Sequence, residues 1–313
     1  MHVDLQGAQS NSQSSAVSLF AKLDYYRQIL FWRLRGPGDV EAADATLREA
    51  REIVATFERE TGKRAADSHV VEVGFGARPR RAFALTLFFR QVTAIDLDAP
   101  VLKLSDLPRA LRVNGPERAL KSLVRHLLLD AAGWRKFHRR IASRFPAYRP
   151  QTARLLVGDA GAAATWAEIG EADLVFSQDV FEHIQPERLA SLLATLRAKL
   201  AAPGLVITRP MVFTGISGGH VVEWYETDVE DRTEGATAWR HLLDPGFAVN
   251  TYLNRLGRGE FVAQFKAAGF TVLADQAVFG RLGEKHMTPE KRAALSAYDD
   301  YELYSNRVEF LLA

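Results

Sequence analysis

The chain contains no cysteine, which excludes disulfides, thiolate metal sites and a cysteine nucleophile and is compatible with a reducing compartment. It contains no apolar run approaching the ~20 residues of a membrane span. Its opening residues, MHVDLQGAQSNSQSS, lack the basic patch and apolar core of a signal peptide. Neither sign of charge dominates: 40 Lys and Arg against 38 Asp and Glu leave a formal charge of +2, which by itself says little about partners. No internal repeat is evident. These absences predict a soluble cytoplasmic protein without integral membrane association and with a disordered segment over residues 1–15. What is present is enough for one large core: 313 residues, 47% of them hydrophobic, suit a single α/β domain with appendages.

The stretch HVVEVGFGARP, from His69 to Pro79, organises the rest. A short apolar run, two glycines one residue apart and a helix-forming segment predict a strand, a tight turn and a helix that cradle a nucleotide-like ligand. A dinucleotide site would carry a third glycine where Pro79 stands, and proline suits a first helical turn because its missing N–H would be unpaired there. Glu72 stands two residues before Gly74. A carboxylate there repels a diphosphate and attracts an ammonium or sulfonium group. VTAIDLD follows, and its Asp96 is placed to accept the two hydroxyls of a ribose.

Glu72-x-Gly74-x-Gly76 followed by Asp96 resembles the S-adenosylmethionine (SAM) site of class I methyltransferases. Three further passages agree in order: RLLVGDA (Arg154 to Ala160), DLVFSQDVFEHI (Asp173 to Ile184) and LRAKLAAPGLVIT (Leu196 to Thr208) resemble the family's third strand, fourth strand with its loop, and helix, Pro-Gly, fifth-strand passage. The resemblance implies a Rossmann-like α/β fold with a seven-stranded, mainly parallel sheet, flanking helices and an antiparallel last strand. The strands are expected near 69–74, 91–96, 154–158, 172–177, 204–208, 270–278 and 307–312. It also implies SAM as cofactor. Glu72, Gly74, Phe75 and Gly76 would frame its methionine end, Asp96 and Leu97 the ribose, and Asp159 and Ala160 the adenine. Ser177, Gln178 and Asp179 would line the floor below the reacting methyl group. The domain would occupy residues 67–313, with inserts at about 99–150 and 210–257.

Ahead of it, residues 16–66 are expected to form a helical extension. Leu19, Leu23, Tyr26, Leu30 and Leu34 recur at helical spacing, and a second helix from Val40 to Thr61 ends at Gly62. In the first insert Lys and Arg far outnumber Asp106, Glu117 and Asp130. A helix there would pack Leu120, Leu123, Val124, Leu127 and Leu128 and leave Arg118, Lys121 and Arg125 in solvent. The basic face could also serve as a lid for an anionic substrate, a nucleic-acid patch or a membrane-surface contact, in that order. Aromatics for base stacking are few: Trp134, Phe137 and Phe145.

The second insert carries His220, Glu223, Trp224 and Tyr225 on a glycine-rich loop at the carboxyl end of a strand, placed to face a substrate. His183 and His220 are the candidates for deprotonating a nucleophile, and Glu223, Trp224 and Tyr225 for contacting the substrate. Asp179-x-x-Glu182-His183 resembles the Glu-x-x-Glu-His signature of metal-dependent methyltransferases. Asp in place of the first Glu shortens its reach, so no metal is expected; Asp179, Glu182 and His183 would be its ligands. The resulting expectation is transfer of a methyl group from SAM to an oxygen or nitrogen of a small molecule. The alternatives are an RNA methyltransferase using the basic insert and a non-catalytic protein of the same fold.

Overall fold

The computed structural model describes residues 39–149, 153–220, 237–247 and 251–313. The expected helix of 16–35 and the substrate residues Glu223, Trp224 and Tyr225 lie outside the described residues. So does the side chain of Leu128.

Seven strands form one sheet: β1 (His69–Val73), β2 (Gln91–Asp96), β3 (Ala153–Val157), β4 (Ala172–Gln178), β5 (Leu200–Arg209), β6 (Val272–Ala277) and β7 (Val308–Leu312), in the order β3-β2-β1-β4-β5-β7-β6. The first five strands run parallel, and β7 is antiparallel to both β5 and β6. A seven-stranded, mainly parallel sheet with an antiparallel last strand is the expected one. The order reverses beside β1, between β2 and β4, which opens a crevice at the carboxyl ends of those strands.

Alternation along the strands divides the core. Val70, Val92, Ala94, Leu174, Phe176, Leu205 and Ile207 face one layer, and Val71, Val73, Ile95, Val175, Val206 and Phe310 face the other. On the first face lie α1 (Asp39–Thr61), α2 (Arg80–Leu85) and, beyond α3 (Leu107–Arg125), α4 (Ala131–Arg144). On the second lie α5 (Ala163–Ile169), α6 (Pro186–Lys199) and α7 (Arg258–Ala267). In α1 the buried positions Ala43, Leu47, Ala50, Ile53 and Phe57 recur every three or four residues, so one stripe meets the sheet. Gly62 then stops the helix with φ of 70°, a conformation glycine adopts without strain.

Two expectations need correction. Pro203 and Gly204 do not precede the fifth strand but lie inside β5, where pairing jumps from Ala172↔Leu200 to Leu174↔Leu205 and the residues between bulge out of register. The first insert does contain helices, but three of the five residues expected to pack do not. Leu120, Val124 and Leu127 are exposed, and no described residue buries them. A kink at Gly115, with φ of 77°, followed by Pro116, turns α3 aside, and a wide helical turn over His126–Asp130 joins it to α4. It is α4 that docks, through Phe137 and Ile141 and through Arg140 and Arg144 on Asp44 of α1. Among the described residues no helix is long and apolar enough to cross a membrane.

Candidate functional site

A cavity of about 920 Å³ opens at the carboxyl ends of β1 to β4. Its wall includes Gly74, Gly76, Asp96, Leu97, Asp159, Ala160 and Asp179, all expected at a cofactor site, and His183 at one end. The strands deliver these residues together because the register sets Val73 beside Ile95 and Ser177, and Asp96 beside Val157. Sequence reading did not identify Arg118, Ile184, Arg188, Leu192 and Tyr252, which also line it. Ile184 ends the passage after β4 that the sequence already marked, whereas the others come from the insert, α6 and a distant loop, and no local pattern marks them.

The glycines do different work. Gly74 has φ of 83°, and a Cβ built on it would stand 2.1 Å from Val180 Cγ2, so the β1 and β4 loops close against each other only over a bare Cα. Gly76 has φ of 63° and nothing within 4 Å of where a Cβ would stand. Its N–H donates to Asp96 Oδ2 at 2.7 Å, while Asp98 N–H donates to Oδ1 at 3.1 Å. Burial pushes the Asp96 carboxyl up, against the pull of those two N–H donors. On the opposite wall Asp159 Oδ1 accepts from Gly161 N–H at 2.8 Å, and Ala160 is fixed by its carbonyl accepting from Trp166 Nε1 at 2.7 Å.

Glu72 is placed differently from the charge argument. It is 1% exposed, and its Oε1 accepts from Arg81 Nη1 at 2.9 Å. Arg81 also donates to both oxygens of Glu49 on α1 and to Gln178 Oε1. Arg209 joins Glu49 to Glu309. Burial pushes the Glu72 carboxyl up, and the Arg81 guanidinium pulls it back. Glu72, Phe75 and Gln178 border a second cavity of about 220 Å³ with Glu49, Arg78, Arg80 and Arg81. Asp179 borders both cavities. Arg81 thus counters the charge of Glu72 through Oε1, while Oε2 has no hydrogen-bond partner among the described residues. Ser177 also departs from expectation: it is fully buried, and its hydroxyl donates to Val73 O, tying β4 to β1 instead of lining the floor.

Beyond β4, Asp179 adopts φ of 55° and receives Arg307 on both carboxylate oxygens at 3.1 Å. The helical turn Phe181–His183 follows. Glu182 is buried; Met211 N–H donates to its Oε1 at 3.3 Å, and among the described residues its Oε2 has no hydrogen-bond partner. Burial, then the neighbouring Asp179 carboxylate, push Glu182 well above the ordinary carboxyl range. His183 Nδ1 lies 3.0 Å from Tyr252 O. His220 comes from the loop after β5 with φ of 53°, and its ring meets that of His183 edge to face at 5.0 Å. Burial, reinforced by His183, lowers His220 to about 4. The two expected histidines are thus brought together.

Part of the insert's basic surface is engaged in ion pairs. Arg118 pairs with Asp98, Lys121 with Glu117 and Arg125 with Asp130, beside the pairs to Asp44. Trp134 stacks on buried Phe137 at 5.6 Å, and Phe145 meets Phe88 edge to face. These rings pack the core rather than offer a platform for bases.

No family model matches the chain, and no curated protein matches it. Among solved structures it is similar to an S-adenosylmethionine-dependent methyltransferase from Clostridium acetobutylicum, at 10% identity over 94% of this chain and 98% of that one, with a TM-score of 0.46. It is similar also to magnesium protoporphyrin IX methyltransferase from Synechocystis with bound SAH, at 14% identity, 92% and 96% coverage and a TM-score of 0.43. A third is the CcbJ methyltransferase from Streptomyces caelestis, at 15% identity, 92% and 96% coverage and a TM-score of 0.46. Likeness this distant carries no argument about chemistry, which rests on the cavity and its residues.

Proposed function

We propose that the protein is a SAM-dependent methyltransferase acting on an oxygen or nitrogen of a small molecule. One observation carries the reading: the 920 Å³ cavity stands at the switch point of a parallel sheet, bordered by Gly76, by Asp96 from the next strand and by Asp159 and Ala160 from the one after. The residues fit an adenosyl group. Asp96 keeps lone pairs for a ribose beyond the two backbone donors it already accepts, and the bare Cα of Gly76 leaves that wall open.

When bound, the cofactor supplies a methyl group already activated on sulfur. The chain's own residues have the simpler task of holding the acceptor atom, methyl carbon and sulfur in line. Asp179, held by Arg307, and Val180 border the cavity beside His183. His183 and His220 are assigned to the acceptor's nucleophilic atom, and Gln178 and Phe75 to the smaller chamber next to the methionine end. Weighing against an RNA substrate are the burial of Phe137 and the pairing of Arg118, Lys121, Arg125, Arg140 and Arg144.

The test is calorimetric. SAM is expected to bind the full chain with one site, and Asp96→Ala to weaken it at least tenfold, about 1.4 kcal/mol, with the unliganded melting temperature little changed. Equal affinity in the two proteins would remove Asp96 from the site and the assignment with it.

A further inference from the structure

Besides Glu72 Oε2, the buried polar atoms without a partner among the described residues include Glu182 Oε2 and His220 Nε2. Leaving such atoms unpaired costs about 1–3 kcal/mol each. The latter two residues lie in one cluster: one ligand atom from each of Glu182, His183 and His220 falls within 4.8 Å of the other two. A positive ion between them would use all three lone pairs at once.

The supporting contacts suit such an ion. A backbone carbonyl only accepts, so His183 Nδ1 must donate its proton to Tyr252 O, which leaves Nε2 with the lone pair. Glu182 is held through Oε1 by Met211 N–H, which leaves Oε2 to act. Hydrogen bonds of this kind to the far side of a ligand group orient metal ligands generally. Glu182 is 3% exposed, so its carboxylate cannot rely on bulk water for neutralisation. Donors around a single ion at about 2.1 Å stand roughly 3 to 4 Å apart, so closing this cluster needs inward movements of about 1 Å or less. Asp179 is not part of it, because Arg307 occupies both of its oxygens.

We propose that Glu182, His183 and His220 bind one divalent transition-metal cation at the end of the cavity. Two imidazoles and one carboxylate favour a first-row transition ion or zinc over magnesium or calcium, whose sites are built from oxygen. Three protein ligands leave coordination positions open. Since His183 also borders the cavity, those positions lie beside the space assigned to the acceptor. This second step rests on the function proposed above: as ligands, His183 and His220 would meet the acceptor through the ion rather than as bases, and the acceptor is narrowed to one that presents oxygen to the ion.

The experiment uses the full chain, free of any affinity tag and stripped with a chelator, titrated with Co²⁺ and followed by visible ligand-field absorption. One Co²⁺ per chain is expected, displaced by Zn²⁺. His183→Ala and His220→Ala should each weaken binding at least about tenfold, Glu182→Gln likewise, and Asp179→Asn by no more than about twofold. Circular dichroism confirms that each variant is folded, and the wild-type titration stands even if one is not. Absence of saturable Co²⁺ binding to the wild type, or binding insensitive to all three ligand substitutions, would overturn the site. SAM calorimetry on the same samples separates the two readings: SAM binding without Co²⁺ binding sinks only the metal, and the reverse sinks only the cofactor.

Discussion

Gly74 shows how much a single missing side chain can decide. Its φ of 83° suits glycine, and a Cβ would collide with Val180 at 2.1 Å. Gly74→Ala should therefore push the β1 and β4 loops apart and lower SAM affinity at least tenfold, while Gly76→Ala, whose Cβ meets nothing within 4 Å, should do so less. Calorimetry on the two variants ranks them, and the reverse order would contradict this division of labour. Gly74, Gly76 and Asp96 were legible in the sequence because strand, turn and next strand place them by local rules. Glu72 was legible in position; its pairing with Arg81 was not. Its neutralising partner Arg81 sits on α2 next to it, yet the carboxylates and cations that complete the network, Glu49, Arg209 and Glu309, come from remote parts of the chain. His220 was read from its loop, but its meeting with Glu182 depends on how β5 and the turn after β4 converge, which no local spacing records.

At the scale of elements, α1 is tied to the sheet by more than its apolar stripe. Glu49 on α1 receives Arg81 from α2 and Arg209 from β5, and Arg81 reaches on to buried Glu72. Breaking such a network by removing one partner leaves a buried charge uncompensated. Arg81→Leu is expected to cost about 3–5 kcal/mol in urea unfolding, and a loss below about 1 kcal/mol would mean that the network contributes little. Helix α1 and the strands other than β5 were readable from the sequence pattern, and their bounds fall close to the expected ones. In the insert, the leucine spacing makes a face apolar without saying whether anything covers it. The kink at Gly115 and Pro116 was visible in the sequence as a helix breaker, but its consequence, that α4 rather than α3 docks on α1, depends on Phe83 and Asp44 being there to receive it.

The whole molecule carries histidines kept neutral by burial, and this gives its stability a direction in pH. His138 is wedged against Trp134 and Phe83, with Nδ1 at 2.8 Å from Tyr148 Oη, and burial lowers it to about 4. Burial also lowers His69, against the pull of the Glu171 carbonyl. Below the unfolded-state value of about 6.5 the unfolded chain takes up a proton that the native His138 refuses, so this contribution is lost as pH falls from 6.5 toward 4. Comparing wild type with His138→Gln in urea at pH 7 and pH 5, the wild-type advantage should shrink by about 1 kcal/mol after discounting for the part of the ring that water reaches. An advantage that grows on acidification would reverse the sign and refute the assignment.

The same global view explains why the architecture was readable and the chemistry only partly so. Alternating strand and helix signals determine a doubly wound sheet and the end at which it binds ligands, whereas the acceptor side is built from loops that vary independently of that frame. The most direct test is a crystal of the full chain grown with S-adenosylhomocysteine. The account predicts density for the nucleoside in the 920 Å³ cavity, with the ribose hydroxyls on Asp96 and the base beside Asp159 and Ala160. A cavity that stays empty at saturating ligand, or that holds a nicotinamide dinucleotide instead, would contradict it.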